Sequence, residues 1–389
     1  MVALLAAFRT LGMAPWLSAF ALLSTPAAQA HDPSAWGGMF RTRDFGGSWL
    51  STDAGLYIGA ALAVAIHPTD PNHLLYATDT RLLRSRNGGR DWAQEAADLI
   101  YGPTLAVAFD RDGGAAAASS SAGIFVTRGD GKWAAAKAPS GAAPARVIVP
   151  GNAPGHFLLG GPGGIFRSVD GGQTWTAAAI GDAEAPAVAI VVLPSPAQRA
   201  FAIVGNRLWA SRDEGATWQP SGAGLPGTAV DAIAADADGK RLWVAAADRF
   251  HVSDGEALRW QPVGQALPQA QTTVRALVAS PDGRILIAAT HRGVLRSTDH
   301  GVQWQQTEGA LPVHLESGML QRDVHDAQTL YCGFSLSPYA DVWRRAAEGN
   351  NLLSRIDPIN LAGGAAFLIL LVGGGIVGAR ALSRSSARR

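Results

Sequence analysis

The chain has 389 residues, only 16% of them charged, and a formal net charge of +1. This balance gives no basis for binding nucleic acid or another polyanion. Its 46 glycines and 22 prolines interrupt the sequence so often that many short strands are expected rather than long helices. The single cysteine, Cys332, excludes an intramolecular disulfide and is expected to pack as a small apolar side chain in a strand.

The first 30 residues are organised like an export signal. Arg9 precedes the apolar run 11–23, and a small-residue cleavage motif ends at Ala30. This order predicts a signal peptide over 1–30, so that the mature protein begins near His31 outside the cytoplasm. An uncleaved anchor helix is the alternative, and two prolines within the segment disfavour it.

The next feature along the chain is a repeat of seven tryptophans. They stand at positions 49, 92, 133, 175, 218, 260 and 304, so successive tryptophans are 41 to 44 residues apart. Each of them ends a related segment, which reads S-x-D-x-G-x-T-W in the clearest copies at 168–175 and 211–218. Three further copies keep most of this octapeptide, at 42–49, 85–92 and 297–304, and two are degraded.

The octapeptide describes a tight hairpin turn. Its aspartate is expected to accept hydrogen bonds from backbone N–H groups two residues on, as in an Asx-turn. The glycine supplies a positive φ, and the tryptophan covers the hairpin with a large apolar face. The motif contains no nucleophile, base or metal-ligand cluster, so its role is structural. The residues that we assign to it are Asp44, Asn87, Asp170, Asp213 and Asp299, with Trp49, Trp92, Trp175, Trp218 and Trp304.

Short apolar runs between the octapeptides complete a four-stranded unit. In the second repeat these runs are 62–66, 74–77 and 82–85, and turn residues separate them. Such runs are typical of strands and hairpins, and four strands in a repeat of this length is the period of a β-propeller. We therefore predict that residues 31–345 form one all-β propeller of about seven four-stranded blades.

Both ends of the repeat region are expected to contribute to one blade. The region begins with a third strand and its turn at 39–49. It ends with first- and second-strand patterns at 319–320 and 329–333, followed by a strand-like segment at 341–344. The final blade thus lacks its outer strand, which the N-terminal segment would supply to close the ring. Six or eight blades are alternatives to seven, because both terminal segments contain third-strand-like sequence.

The octapeptides resemble the Asp-box, or BNR, repeats of sialidases, sortilin-type receptors and the photosystem II assembly-factor family. The likeness covers nearly all of 39–345, and the pattern at 293–299 is most similar to that of the assembly-factor-like bacterial proteins. In this family the box lies at the turn between the third and fourth strands, away from the functional face. The resemblance therefore implies a propeller with structural box aspartates, but it does not separate the functions of the three groups.

A sialidase-like hydrolase is the competing interpretation. Such an enzyme needs three arginines that hold a carboxylate, a tyrosine activated by a glutamate, and an aspartic acid. The early Arg-Ile-Pro element of that family is absent, since 40–43 belong to the first octapeptide. None of Tyr57, Tyr101, Tyr331 and Tyr339 has a recognisable Tyr-Glu setting. We therefore expect no catalytic residue, no metal and no cofactor, and keep a glycan-binding propeller as an alternative.

Arginines recur in the predicted turns between second and third strands, at Arg81, Arg207, Arg249 and Arg292. In a propeller those turns lie on the face opposite the octapeptides, near the channel mouth. Four guanidinium groups there would form a positive rim that pairs with carboxylates of a partner. Tyr57 and Tyr101 fall in inter-blade connections of the same face and would flank this rim. The alternative is that arginine simply tolerates exposed turns.

The chain ends in a predicted membrane span. Residues 359–379 carry no charge and, as a helix, would extend about 31 Å, the thickness of the hydrocarbon core of a bilayer. Four arginines follow in the tail 380–389, so the positive-inside rule places this tail in the cytoplasm. The propeller and a linker at 346–358 would then lie outside. A removable C-terminal sorting tail would look similar.

These features together predict an exported, non-catalytic propeller that is anchored in the cytoplasmic membrane by its C-terminal helix. On its extracytoplasmic, periplasmic side it would bind a protein partner and assist the assembly of a membrane complex. No nucleic-acid partner is expected. A glycan is the alternative ligand.

Overall fold

The computed structural model describes residues 37–348, apart from residues 54, 129–130, 182–184, 195–197, 228, 258, 308–310 and 313. Within this part the chain forms seven antiparallel sheets of four strands each. The prediction of an all-β propeller with seven four-stranded blades is confirmed, and the alternatives of six and eight blades are wrong.

The structure does not describe the segments that are predicted to target the chain to a membrane. The signal peptide, the span 359–379 and the basic tail all lie outside the described residues. Inside the described part, no helix is long and apolar enough to cross a bilayer.

The described part begins with two strands that belong to the last blade, β1 (Gly38–Thr42) and β2 (Leu50–Ser51). Six blades then follow in chain order, each from four consecutive strands. Blades 1 to 3 contain β3 (Ala61–Ile66), β4 (Leu74–Thr78), β5 (Leu82–Ser85), β6 (Ala93–Gln94), β7 (Thr104–Phe109), β8 (Ala115–Ser120), β9 (Gly123–Arg128), β10 (Lys132–Ala135), β11 (Val147–Pro150), β12 (Phe157–Gly161), β13 (Gly164–Ser168) and β14 (Thr176–Ala177). Blades 4 to 6 contain β15 (Ala187–Val192), β16 (Ala200–Val204), β17 (Arg207–Ser211), β18 (Gln219–Pro220), β19 (Val230–Ala235), β20 (Arg241–Ala246), β21 (Arg249–Asp254), β22 (Gln261–Val263), β23 (Val274–Ala279), β24 (Leu286–Thr290), β25 (Gly293–Ser297) and β26 (Gln305–Gln306).

Blade 7 combines the two ends of the propeller. Its first two strands are β27 (Glu316–Arg322) and β28 (Leu330–Ser335), and β1 and β2 are its third and fourth. β1 runs antiparallel to β28, with Phe40 opposite Cys332. The first strand of each blade contacts that of the next, and β27 contacts β3, so the ring is closed. The N-terminal segment thus completes the final blade as predicted, but it supplies two strands rather than the outer one alone.

Apolar side chains between neighbouring blades form the core. Seven clusters occupy the seven interfaces between blades. The tryptophan of each repeat stands at the start of the fourth strand and packs between its own blade and the preceding one. Trp175, for example, packs with Phe157 of its own blade and Ala117 of blade 2. The repeat places one indole at every interface between blades, and each indole buries a large apolar area there.

The turn of blade 4 shows the hydrogen bonds inside an octapeptide. Ser211 Oγ donates to Asp213 Oδ1 at 2.8 Å and accepts from the amide of Gly215 at 2.8 Å. Asp213 also accepts from the amide and the hydroxyl of Thr217, at 2.9 and 2.6 Å. Trp218 Nε1 donates to the carbonyl of Gly215 at 3.0 Å. The amide that bonds the aspartate thus lies four residues on, not two as the Asx-turn predicted.

The same arrangement recurs in other blades. The serine or threonine hydroxyl donates to the side chain two positions on, and that side chain accepts an amide four positions on, at Asp44, Asn87, Asp170 and Asp299. Trp175 and Trp304 repeat the bond of the indole to the glycine carbonyl, at 2.9 and 3.1 Å. Each turn therefore satisfies part of its backbone within itself, while the next amide bonds outside the octapeptide, as the amide of Glu214 does to the carbonyl of Gln198 at 3.2 Å.

One helix, α1 (Tyr339–Ala347), follows β28 in the described part. The prediction of a strand-like segment at 341–344 is wrong, because β1 already occupies the place beside β28. The helix instead buries Val342 and Ala346, which are four residues apart on one face. The amide of Tyr339 donates to Glu316 Oε2 at 2.9 Å, which satisfies one free N–H at the start of the helix. The boundary predicted at 345 falls inside α1.

Replacement of Asp213 by alanine tests the octapeptide turn. The variant loses the acceptor of three hydrogen bonds, so we expect the free energy of unfolding at neutral pH to fall by about 1 kcal/mol. Burial tends to raise the pKa of Asp213, but its bonds with Thr217 and Ser211 lower the pKa below the ordinary 3.8. Wild type holds this stabilisation above pH 3.8 and loses it as the pH falls through the lower, folded-state pKa.

Urea unfolding as a function of pH measures the loss of unfolding free energy in the variant and the dependence of that loss on pH. The difference between wild type and Asp213→Ala should shrink in acid. Asp248→Ala is the control, because this exposed aspartate makes no side-chain hydrogen bond among the described residues. Equal stabilities of wild type and Asp213→Ala at neutral pH would contradict the role of the turn.

Candidate functional site

One face of the ring carries the turns between second and third strands and the connections between blades. Antiparallel strands reverse at each turn, so these loops lie opposite the octapeptides. Arg81 and Arg292 lie in these turns in blades 1 and 6, as predicted, whereas Arg207 and Arg249 are the first residues of the third strands β17 and β21 in blades 4 and 5. Tyr57 and Tyr101 lie in the connections that enter blades 1 and 2. We call this surface the turn face.

The six residues form two groups on the turn face. Arg207, Arg249 and Arg292 are exposed and belong to three consecutive blades. Arg292 is held by donating to Gln269 Oε1 at 3.2 Å and to His291 Nε2 at 3.1 Å. This group offers guanidinium groups to a partner.

The second group surrounds blade 1. Arg81 is half-buried, and its Nε has no hydrogen-bond partner among the described residues. On either side of it, the side chains of Tyr57 and Tyr101 are 79% and 58% exposed. Aromatic rings so far out of the core are well placed to contact a partner. The four arginines of the predicted rim thus lie in two groups, with blade 7 between them.

A cavity of about 210 Å³ lies at the channel mouth in the centre of the turn face. None of the four rim arginines lines it. Its wall instead uses one equivalent position from each first strand. In six blades this position is a bulge in the pairing with the second strand, and in blade 3 it directly precedes β11. The seven residues are Leu62, Leu105, Arg146, Val188, Asp231, Arg275 and Gly318.

Three of these seven wall residues are charged, namely Arg146, Asp231 and Arg275. Burial lowers the pKa of Arg146 to about 10, and the nearby charge of Arg275 adds to this effect. Burial raises the pKa of Asp231 to about 6, and Arg275 partly offsets the rise. Arg275 Nη2 lies 3.7 Å from Glu316 Oε1. The mouth thus collects two guanidinium groups and two carboxylates that are partly withdrawn from water.

Helix α1 lies over this cavity. The ring of Trp343 covers the guanidinium of Arg146, with 4.5 Å between Cζ and the ring centroid, a cation–π contact. Tyr339 packs against Gly318, where a β-carbon would collide with the tyrosine ring. The hydroxyl of Tyr339 donates to the carbonyl of Ala61 at 2.7 Å. Among the seven wall residues, Gly318 is therefore the one that leaves space for α1.

Four residues of this cavity were not predicted from the sequence: Arg146, Asp231, Arg275 and Trp343. A usable signal was present, because Arg146 and Arg275 are separated by three repeats. Aligning the first strands by the period of the tryptophans brings charged residues to positions where other blades have Leu62, Leu105 or Val188. The helical position of Trp343 had no comparable signal, because its segment reads as a strand.

The cavity differs from the constellation that a sialidase-like hydrolase needs. It is lined by two arginines rather than three. Its tyrosine, Tyr339, donates its hydroxyl to a backbone carbonyl, and Glu316 accepts from the amide of Tyr339 instead of activating the hydroxyl. Within the described ranges, no group of three or more His, Cys, Asp or Glu residues could hold a metal ion.

Comparison with known proteins identifies relatives of the fold. No protein-family model and no curated protein matches the chain. Solved structures do match, among them YCF48 bound to D1 peptide and YCF48 from Cyanidioschyzon merolae. The first has a TM-score of 0.55 and 19% identity, and the alignment covers 72% of this chain and 95% of that one. The second has a TM-score of 0.55 and 17% identity, covering 72% and 97%. The chain thus shares its seven-bladed propeller fold with YCF48.

Proposed function

We propose that this protein is a membrane-tethered, extracytoplasmic propeller that binds a protein partner on its turn face and assists assembly of a membrane complex without catalysis. The observation that carries this proposal is the group of exposed arginines on three consecutive blades, Arg207, Arg249 and Arg292. Guanidinium groups bind carboxylates through paired hydrogen bonds, so such a surface suits an acidic segment of a protein.

Two further observations support binding of protein. One solved structure with this fold is YCF48 bound to D1 peptide. The exposed rings of Tyr57 and Tyr101 add apolar contact area beside Arg81. Aromatic residues and arginines are the side chains that dominate the energetics of protein interfaces. The cavity geometry gives no comparable support to a glycan hydrolase, because it lacks the third arginine and an activated tyrosine.

Replacement of Arg81, Arg207, Arg249 and Arg292 by alanine tests the arginines of the turn face. We expect capture of the partner from detergent-solubilised membranes to fall by more than about tenfold, because each lost charge-assisted bond weakens binding. The measurement is quantitative mass spectrometry of proteins that co-purify with the full-length chain.

The matched control replaces four exposed arginines on the opposite face, Arg43, Arg90, Arg212 and Arg284. This variant changes the net charge equally, so a general electrostatic effect would reduce capture in both. The proposal predicts loss only in the turn-face variant. Unchanged capture by the turn-face variant would refute the role of these arginines.

Truncation after Ala347 tests the tether. The truncated chain keeps every described strand and α1 but lacks the predicted span 359–379. We expect it to leave the membrane fraction and enter the soluble extracytoplasmic fraction, whereas the full-length chain resists extraction with alkaline carbonate. Fractionation followed by immunoblotting measures how the truncated and the full-length chain distribute between the membrane and soluble fractions. A truncated chain that stays in the carbonate-resistant pellet would contradict the tether.

A further inference from the structure

Two opposite charges at the channel mouth form no ion pair within the described part of the chain. The guanidinium of Arg146 meets the ring of Trp343, and no carboxylate pairs with it. The carboxylate of Asp231 makes neither a hydrogen bond nor an ion pair there. Arg275, by contrast, has Glu316 as its partner. Charges withdrawn from water are costly unless they are paired, so these two groups are prepared to receive complementary charges.

The ring geometry keeps these charges apart while directing both to one cavity. Arg146 belongs to blade 3 and Asp231 to blade 5, and Val188 of blade 4 stands between them. The two groups do not form an ion pair within 4.0 Å, although both line the same space. A ligand with a negative and a positive group could therefore bridge them.

The size and wall of the cavity limit the ligand. Its volume of about 210 Å³ is far above that needed for one water but below the usual range for drug-sized ligands. The rest of the wall combines polar Asn206 and Thr273 with aliphatic side chains at Leu62, Leu105, Val188, Val230 and Val274. These features suit a small molecule with an apolar side chain.

The channel offers an entry path that leaves α1 in place. The next space along it, of about 280 Å³, shares Arg146, Val188 and Arg275 with the mouth cavity. A wider space of about 790 Å³ follows and shares Ile233 and Leu277 with that one. A small molecule can thus approach the charges from the octapeptide face.

We propose that the channel-mouth cavity binds a free, apolar α-amino acid, with its carboxylate on Arg146 and its ammonium on Asp231. Burial raises the pKa of Asp231 and Arg275 only partly offsets the rise, so an ammonium group beside this carboxylate would stabilise its charged form further. Trp343 and the apolar residues of the ring enclose the side chain. This site is separate from the arginines of the turn face, so it stands or falls independently of the protein-binding proposal.

Calorimetric titration of the full-length chain in detergent tests the site, with L-alanine, L-valine and L-leucine as probes. L-leucine amide and N-acetyl-L-leucine are matched controls, because each keeps the side chain but has only one of the two charges. We expect the best of the three amino acids to bind wild type, and each half-charged analogue to bind at least about tenfold more weakly. This comparison requires no variant.

Two variants then test which residue binds each charged group of the amino acid. Arg146→Gln and Asp231→Asn preserve approximate side-chain size, and each should weaken binding of L-leucine at least about tenfold. Arg90→Gln, on the opposite face, is the control and should leave the affinity unchanged. The proposal is overturned if no amino acid of the panel binds wild type. It is also overturned if N-acetyl-L-leucine binds as tightly as L-leucine, or if both cavity variants bind like wild type.

Discussion

Antiparallel pairing of β1 with β28 is the contact on which the rest of the molecule depends. Five consecutive residue pairs, from Gly38 opposite Phe334 to Thr42 opposite Leu330, join the two ends of the propeller. Without them, β28 would present an unpaired edge. The same segment fills two interfaces between blades, since Met39 packs against blade 1 and Trp49 against blade 6. Buried Asp53 reinforces the closure by accepting from the amide of Met39 at 2.8 Å and the hydroxyl of Tyr76 at 2.9 Å.

Closure also creates the chemistry at the centre. A closed ring brings seven first strands around one axis, so equivalent positions of distant repeats share one cavity. Repetition supplies the scaffold, and the residues that depart from it give the centre its charges. Arg146, Asp231 and Arg275 stand where other blades have aliphatic residues or glycine, and they bring opposite charges into a confined space. The exposed arginines of the turn face use the same scaffold farther from the axis.

Much of this architecture could be predicted from the sequence, because its signals are local. Trp49, Trp175 and Trp218 mark hairpins through a tight turn that needs only a few neighbouring residues. The placement of Arg81 and Arg292 in turns follows from the strand pattern in the same way. Features that depend on contacts between distant parts of the sequence could not be predicted in this way. The helical state of 341–344 depends on β1 already pairing with β28 and on the carboxylate of Glu316. The pairing of Arg146 with Trp343 depends on that helix.

Thermal unfolding of the propeller with and without its N-terminal strands tests the closure most directly. The comparison uses one chain that begins at His31 and one that begins at residue 52, which lacks β1 and β2. Closure predicts that the shorter chain loses the cooperative transition and that adding a peptide of residues 37–51 restores it. A shorter chain that unfolds cooperatively at the same temperature as the longer one, with no effect of the peptide, would contradict the account.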